Sequence, residues 1–284
     1  MPDSFPLAPA DTLDTGALVA LMNEAYSDYD VPMHVDEGTF RFMVRSFDLD
    51  LAESRVALDG GTPVGIVLLG RRGERAWIGG MGVTPPARRR GLGEDLMRAA
   101  LERATAGGAR EAWLEVLTTN VRAIPLYERL GFRHVRRLDV LRLAAPPAVP
   151  DGVTTAAITV EDALEFARLH RRCEEPWQRA EASVRNWLRD GVALEATAAT
   201  AEGRTLGVAI HRVAPPRASM LQMVSMPGQE TRSTPALLAA AFRAEADQGV
   251  RWLNLPQDDA ASPLVLALHP ECEASQHDMR LTLA

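Results

Sequence analysis

The chain has 284 residues, of which 46% are hydrophobic, so length and composition favour two domains with ordinary packed cores. A formal net charge of −7 argues against nucleic acid as a partner, and no apolar stretch is long enough to cross a membrane. Cys173 and Cys272 offer no metal-site spacing or disulfide framework, and the N-terminus shows no signal peptide. We therefore expect a soluble protein of the reducing cytoplasm, without a membrane partner.

The first fifty residues predict a short strand and two helices. The strand is expected at residues 5–7, and a helical pattern begins after Asp14. The segment 26–32 ends that pattern, because proline and the residue before it leave helical geometry. Apolar spacing over residues 40–47 indicates the second helix, for which Asp36 is the expected N-cap.

A run of strands joined by tight turns is predicted next. Residues 54–58 and 63–70 form a hairpin, because the glycines of the turn at residues 59–61 accept positive φ. A second turn at residues 71–74 leads into an apolar strand at residues 76–83. Strands joined by such short turns must run antiparallel.

A basic, glycine-rich turn follows this strand and opens a helix. It reads Arg88-Arg89-Arg90-Gly91-Leu92-Gly93, after which apolar residues recur at helical spacing from Leu96 to Leu101. The first N–H groups of a helix lack acceptors, and glycine lets an anion reach them. The pattern predicts a phosphate cradle, although a glycine turn that only redirects the chain looks the same. It is neither the nucleotide P-loop nor the six-residue dinucleotide fingerprint.

A second motif lies downstream of this helix. Residues 114–116 read as a short strand in which Glu115 is a lone carboxylate among apolar residues. A spaced set of residues follows: Asn120, Ala123, Leu126, Tyr127, Gly131 and Phe132. After closing strands, three prolines and a glycine at residues 144–152 indicate a linker. We place it at residues 146–152, between a domain of residues 1–145 and one of residues 153–284.

The second half repeats the element order of the first. An offset of 142 residues superposes Pro85 on Pro227, and an offset of 139 superposes Trp113 on Trp252. The chemistry is not repeated, as the residues at the equivalent positions show: Arg88, Gly91 and Gly93 become Glu230, Ser233 and Pro235, while Glu115 and Tyr127 become Asn254 and Leu266. The C-terminal half therefore lacks an anion cradle.

The two motifs of the N-terminal half together resemble the acyl-CoA-binding core of the GNAT superfamily of N-acetyltransferases. That family combines an Arg/Gln-x-x-Gly-x-Gly/Ala turn with N-x-x-A-x-x-L-Y-x-x-x-G-F, and both occur here within residues 76–132. The resemblance implies an α/β (α+β) fold of two GNAT-like domains. Each would be a mixed, mostly antiparallel twisted sheet flanked by helices, with a degenerate C-terminal domain.

The resemblance also implies acetyl-CoA as cosubstrate and no metal. Main-chain amides and local arginines would hold the pyrophosphate, and a main-chain N–H near Val83 would bind the thioester carbonyl where the core strands splay apart. The expected cofactor-binding residues are Met81, Gly82, Val83, Arg88, Arg89, Arg90, Gly91, Leu92, Gly93, Glu94 and Asn120. Gly79, Gly80 and Gly82 would let the pantetheine approach, or they mark a plain β-bulge.

Two residues are expected to move protons. An alkylammonium with a pKa of about 10 must lose a proton before it attacks, and Glu115 would take it directly or through water. A solvated strand face is the alternative position for that carboxylate. By resemblance, Tyr127 would return a proton to the departing thiolate, and a packed helix residue is its alternative role. Asn120 would cap the Tyr127 helix and also face the cofactor.

The acceptor is expected near the segment 26–34, because the corresponding helix–loop–helix of GNAT proteins covers the acceptor cleft. The expected substrate-binding residues are Tyr26, Tyr29, Asp30 and Trp77, and Asp28, Asp30 and Glu37 would suit a cationic amine. A packing loop is the alternative interpretation. Farther along, Arg171 and Arg172 with Glu174 and Glu175 predict a solvated helix face.

The sequence thus predicts an acetyl-CoA-dependent N-acetyltransferase that acts on a small primary amine by direct attack. Its second motif is also similar to the ribosomal-protein acetyltransferases of the family, so protein N-terminal acetylation stays open. A non-catalytic acyl-CoA-binding sensor or assembly module is a third interpretation. An oligomer is compatible with all three.

Overall fold

The computed structural model describes residues 5–28, 34–214, 217–242 and 248–283. The chain forms two compact units. The first contains the residues up to Val135 together with those from His277 onward, and the second contains Arg136–Gln276. Each unit has a mixed, mostly antiparallel twisted sheet flanked by helices, as the sequence predicted.

The elements of the first unit follow the predicted order. Its strands are β1 (Leu7–Pro9), β2 (Leu49–Asp59), β3 (Thr62–Arg72), β4 (Arg75–Val83) and β5 (Glu111–Leu117). Its helices are α1 (Thr15–Ala25), α2 (Glu37–Ser46), α3 (Leu92–Ala106) and α4 (Ile124–Arg129). Asp14 caps α1 and Asp36 caps α2, each accepting a hydrogen bond from a main-chain N–H three residues on. The first strand lies two residues later than predicted.

The elements of the second unit repeat this order. Its strands are β7 (Thr154–Ile158), β8 (Glu195–Ala201), β9 (Arg204–Ala214), β10 (Arg217–Ser225) and β11 (Val250–Pro256). Its helices are α5 (Val160–His170), α6 (Glu181–Arg189), α7 (Glu230–Ala241) and α8 (Ser262–Leu266). Two further strands, β6 (Arg133–Leu143) and β12 (Glu271–Thr282), run from one unit into the other.

The C-terminal strand β12 was not predicted, and its last residues complete the first unit. Met279 is fully buried in the core of that unit, and Leu281 packs against it. The N–H of Leu283 donates to the carbonyl of Arg110, and the Arg280 guanidinium lies 3.7 Å from the centre of the Trp113 ring. The compact units therefore divide at residues 135/136 and 276/277, whereas the sequence placed the boundary at residues 146–152.

In both units, two parallel strands pair briefly and then part. Strands β4 and β5 pair from Arg75–Glu111 to Trp77–Trp113, and β10 and β11 pair from Ala218–Val250 to Met220–Trp252. Beyond these pairs the strands no longer hydrogen-bond to each other. Main-chain N–H and C=O groups inside a protein need partners, so each gap must be filled by side chains or by a ligand.

A buried arginine fills the gap in the second unit. Arg179 donates from Nε to the Leu221 carbonyl of β10 at 2.6 Å, and from Nη1 to the Leu253 and Asn254 carbonyls of β11 at 3.2 and 2.9 Å. Its side chain is fully buried, and Glu175 pairs with its Nη2 at 2.8 Å. Burial lowers the pKa of Arg179 and the Glu175 charge opposes that shift.

The solvated helix face predicted for residues 171–175 is wrong. These residues follow the end of α5, and Glu175 is only 7% exposed. Arg171 pairs with the Glu175 carboxylate and also donates to Gln222 Oε1 at 2.8 Å. Arg171 and Glu175 are drawn inward because Arg179, four residues beyond Glu175, is itself buried against β10 and β11, whereas Arg172 is exposed.

The glycine turn also has no equivalent in the second unit. Helix α7 begins at Glu230, the position that corresponds to Arg88, so a helical turn replaces the loop. The Ser233 N–H bonds the Gln229 carbonyl, and Pro235 lies inside the helix. The predicted loss of the anion cradle therefore fits a local change from loop to helix.

A substitution at the buried Met279 tests whether strand β12 stabilises the first unit. We expect Met279→Ala to lower the free energy of unfolding by about 2–5 kcal/mol, because it leaves a cavity in the first unit's core. Val135→Ala is the control, since Val135 is 50% exposed and its loss should cost less than about 0.5 kcal/mol. Urea denaturation measures both, and equal effects of the two variants would contradict this assignment.

The charge pair in the second unit gives another test. Arg179→Met should cost about 3–5 kcal/mol, because it leaves three carbonyls without their donor and removes one of the two arginines that pair with the buried Glu175 carboxylate. Adding Glu175→Gln should restore part of this loss, because it removes the buried negative charge. Urea denaturation compares the single and double variants. A single variant as stable as the wild type would show that Arg179 does not hold the parted strands.

Candidate active site

The end of β4, beyond its pairing with β5, borders an open cleft of about 590 Å³. Four segments meet there: the end of α1, the end of β4, the glycine turn before α3, and the turn before α4. The residues that line it are Ala25, Tyr26, Asp28, Met81, Gly82, Val83, Ala87, Arg88, Arg89, Gly91, Leu92, Gly93, Glu94, Thr119, Asn120, Val121, Arg122, Ala123, Leu126 and Arg129. All the predicted cofactor-binding residues except Arg90 line the cleft.

The glycine turn has the geometry of an anion cradle. Gly91 adopts φ +83° and is the N-cap of α3, so the chain reverses without a side chain at that point. A Cβ on Gly91 would meet no atom within 4 Å, and a Cβ on Gly93 would lie 3.5 Å from Leu126 Cδ2, beside the cleft. The first N–H groups of a helix have no intrahelical acceptor. The turn therefore presents bare main chain and the positive helix end to the cleft.

Arg88, the first residue of the motif, is engaged within the protein. Its Nε donates to the Val83 carbonyl at 2.9 Å and its Nη2 donates to the Ala25 carbonyl at 3.0 Å. The two terminal nitrogens also bind the Asp28 carboxylate at 2.6 and 2.8 Å. Arg88 thus joins the end of β4 to the end of α1, which shapes the cleft.

Asp28 carries a strongly perturbed carboxylate. The hydrogen bonds from Arg88, helped by the charges of Arg88 and Arg122, lower the pKa of Asp28 from 3.8 to about 2 against the opposing effect of burial. The pair therefore contributes stability above about pH 4, and that stability is lost as the pH falls towards 2. An aspartate held by two arginines is not available to bind a cationic substrate.

The arginines around the cleft divide into two groups. Arg89, Arg122 and Arg129 line it, and of these sequence reasoning had named only Arg89. Arg90 instead pairs with Asp59 at 3.1 Å and lies over the Phe5 ring, because the turn directs its side chain towards β2. Arg122 and Arg129 lie within the second motif, Arg122 directly before Ala123 and Arg129 directly before Leu130, and these cationic side chains were a signal that the sequence offered.

The edge of β4 presents main-chain groups to the cleft. Tyr26 Oη donates to the Met81 carbonyl at 3.1 Å, and Arg88 binds the Val83 carbonyl, so neither carbonyl points towards β3. Since the N–H and C=O of one strand residue point to the same side, the N–H groups of Met81 and Val83 also face the cleft. Tyr26 therefore lies at the cleft, where the sequence predicted a substrate contact.

A β-bulge at Gly79 changes which residues of β4 face the α1 side. The register with β3 shifts between the pairs Leu68–Gly80 and Leu69–Ile78. A Cβ on Gly79 would lie 2.6 Å from the Trp77 ring, and a Cβ on Gly82 would lie 2.8 Å from Ala25 Cβ. These glycines are thus required by close packing, which is the bulge interpretation of the sequence.

Asn120 lines the cleft but is not the N-cap of the Tyr127 helix. Helix α4 begins at Ile124 with Ala123 as its N-cap. Asn120 Oδ1 accepts a hydrogen bond from the Ala123 N–H at 3.1 Å, so it stabilises the turn that precedes the helix. The predicted capping position is therefore three residues too early.

Glu115 and Trp77 lie together at the point where β4 and β5 part. Trp77 Nε1 donates to Glu115 Oε2 at 2.8 Å. Glu115 is partly exposed and Trp77 is only 3% exposed, and neither is among the residues that line the cleft. The structure thus places Glu115, the predicted general base, where β4 and β5 part. It buries Trp77, which the sequence had assigned to substrate binding.

Tyr127 packs in the core of the first unit. It is 7% exposed, and its ring centre lies 6.0 Å from that of Phe132. It follows Leu126, which lines the cleft, but is not itself a lining residue. The predicted substrate contacts Tyr29 and Asp30 lie outside the described residues.

The described residues contain neither a metal-binding cluster nor a membrane-spanning helix. No group of three or more His, Cys, Asp or Glu side chains there is arranged to hold a metal ion. No helix within the same residues is long and apolar enough to span a bilayer.

The family of the N-terminal half follows from its similarity to known sequences. Residues 19–132 match the Acetyltransferase (GNAT) family. Over 81 residues the chain is 36% identical to N-alpha-acetyltransferase 30 of Dictyostelium discoideum, a match that covers 26% of this chain and 44% of that protein. The chain thus spans less than half the length of this curated relative.

Similar solved structures extend over the whole chain. A GCN5-related N-acetyltransferase from Sphaerobacter thermophilus has a TM-score of 0.75 at 18% identity, with 100% of this chain and 97% of that one covered. A tandem GNAT protein from the clavulanic acid biosynthesis pathway has a TM-score of 0.69 at 19% identity, with 99% of each chain covered. Residues 19–132 thus match the Acetyltransferase (GNAT) family, and over its whole length the chain is similar in fold to a tandem GNAT protein.

Proposed function

We propose that this protein transfers an acetyl group from acetyl-CoA to a primary amine, with one active site in the first unit. The observation that carries the proposal is the cleft itself: bare main chain from Gly91 to Gly93 borders the same opening as the parted edge of β4. In the second unit, Arg179 occupies the corresponding gap and α7 replaces the glycine turn. One acetyl-CoA per chain is the expected stoichiometry.

The cleft residues fit an extended anionic thioester. The turn from Arg89 to Glu94 and the side chains of Arg122 and Arg129 would hold its phosphates. Main-chain N–H groups of Met81 and Val83 would bind its amide and thioester carbonyls. Acetyl-CoA supplies the activated acyl carbon, and the protein supplies binding, orientation and proton transfer.

Direct attack needs proton transfers at nitrogen and at sulfur. Glu115 takes a proton from the acceptor ammonium, directly or through water, so that the amine nitrogen can attack the thioester carbon. The C–N bond forms, the C–S bond breaks, and the departing thiolate takes the proton of the Tyr127 hydroxyl. The second proton of the attacking nitrogen restores that hydroxyl as the amide forms, and the proton on Glu115 passes to solvent. This role requires the Tyr127 hydroxyl to reach the cleft from the packed α4 helix.

The acceptor class is narrowed by the charges around the cleft. Among the described lining residues the acids are Asp28 and Glu94, and both are paired with arginines. A polycationic acceptor therefore finds no free carboxylate there, which favours an acceptor with a single amine. Protein N-terminal acetylation is the second candidate, favoured by the match to N-alpha-acetyltransferase 30.

The anion cradle is tested by adding carboxylates to it. We expect the Gly91→Asp, Gly93→Asp double variant to lose detectable acetyl-CoA binding, because the new side chains fill and repel the phosphate site. Gly61→Asp is the matched control, because Gly61 has φ +91° and open space but lies in the β2–β3 turn. Calorimetric titration with acetyl-CoA should show one site per chain in the wild type and the control. Unchanged affinity in the double variant would refute the site.

The chemistry is tested by thiol release from acetyl-CoA over a panel of amino acids, amino sugars, polyamines and peptides with free N-termini. Tyr127→Phe should lower kcat about 100- to 10,000-fold with little change in KM for acetyl-CoA, because packing against Phe132 is kept and only the hydroxyl is lost. Unchanged turnover would exclude Tyr127 as the acid. Binding of acetyl-CoA without turnover on any amine would favour the sensor interpretation.

A further inference from the structure

Two tryptophans pair across β4 and β5 at the last step before these strands part. Trp77 lies opposite Trp113, and each indole donates a hydrogen bond to a carboxylate of β5. Trp77 Nε1 binds Glu115 Oε2 at 2.8 Å, whereas Trp113 Nε1 binds Glu111 Oε2 at 3.1 Å. Glu115 lies two residues beyond the last pair, in the gap, and Glu111 lies two residues before it, where the strands are still joined.

The position of the Trp77 ring is fixed on several sides. Phe47 meets it edge-on with ring centres 5.8 Å apart, and only 3% of the residue is exposed. The bulge at Gly79 leaves room for the ring, since a Cβ there would lie 2.6 Å from it. A ring held in this way fixes the direction of its N–H, and with it the position of the carboxylate that accepts the bond.

Alternation along the strands places this pair on the side of the sheet that carries α1. Trp77, Gly80 and Gly82 share a face of β4, because the bulge shifts the alternation by one residue. Glu115 follows Trp113 by two residues, so both point to the same face of β5. Tyr26, whose hydroxyl binds the Met81 carbonyl, covers that face from the end of α1.

We propose that Trp77 is a positioning residue that orients Glu115 as the general base of acetyl transfer. The indole N–H donates to Oε2 and so fixes the orientation of the carboxylate, which takes the proton of the acceptor ammonium. The proton passes from the amine nitrogen to Glu115, and the freed nitrogen pair forms the bond to the acyl carbon. This inference rests on the proposed function and gives Trp77 a role other than direct substrate contact.

The test is a double-mutant cycle with a matched control. Trp77→Phe keeps an aromatic ring but removes the donor, Glu115→Gln removes the base, and Trp113→Phe removes the equivalent indole bond outside the gap. Rates are measured with acetyl-CoA and the panel amine of highest turnover. We expect Trp77→Phe to lower kcat about 10- to 100-fold with KM for acetyl-CoA unchanged, and Trp113→Phe to retain wild-type kcat.

The cycle separates positioning from general structural damage. The variant with both Trp77→Phe and Glu115→Gln should match Glu115→Gln alone within about 2-fold, since the indole has no base left to orient. Additive losses, or equal losses from Trp77→Phe and Trp113→Phe, would overturn the inference. Full activity of Glu115→Gln would show that Glu115 is not the general base, and the positioning role of Trp77 would then be refuted as well. The proposed acetyl transfer is tested separately, by turnover on the amine panel.

A second measurement is independent of the acceptor. The chain has five tryptophans, so its amide–indole NMR spectrum has five indole signals, and Trp77→Phe identifies one of them. Glu115→Gln should shift that signal and leave the Trp113 signal in place. A Trp77 signal that does not respond to Glu115→Gln would show that the hydrogen bond is absent in solution, which also overturns the inference.

Discussion

The separation of β4 from β5 after a single stretch of parallel pairing is the constraint on which the first unit depends. Parallel strands that stop pairing leave main-chain donors and acceptors inside the protein, and these groups need other partners. On β4, Tyr26 and Arg88 bind the carbonyls of Met81 and Val83. The N–H groups of the same two residues face the cleft, where a thioester substrate would complete the pairing.

The second unit shows the same separation with a different outcome. Arg179 bridges the parted strands β10 and β11, and Glu175 and Gln222 hold it there. The separation of the parallel strands is thus bridged by the Arg179 side chain in the second unit and remains open in the first. This difference is the physical basis for proposing one active site per chain.

Arg88 illustrates the difference between locating a motif and assigning its chemistry. The motif led to the cleft, and nearly all its residues line it. The guanidinium of Arg88, however, is occupied by two main-chain carbonyls and Asp28, so it supports the cleft from within. Among the described residues, the other arginines that line the cleft are Arg89, Arg122 and Arg129, of which Arg122 also pairs with Asp28 at 3.5 Å. Residue type and spacing are local properties, whereas the partner of a long side chain depends on what the fold brings near it.

The sequence by itself determined the local elements, the glycine turn before α3 and the presence of two units with the same element order. Helix caps such as Asp14 and Asp36, the turn at Gly60 and the positive φ of Gly91 depend on neighbours a few residues away, and such interactions are readable from sequence.

Only the tertiary structure decided the contacts between residues distant in sequence. Strand β12 closes the first unit from the far end of the chain, Arg179 reaches β11 across 74 and 75 residues, and Trp77 meets Glu115 across 38. None of these pairings leaves a periodic or spaced pattern, because each is fixed by which strands become neighbours. The sequence located the glycine turn that lines the cleft, while the fold determined which carboxylate stands at the gap and what holds it.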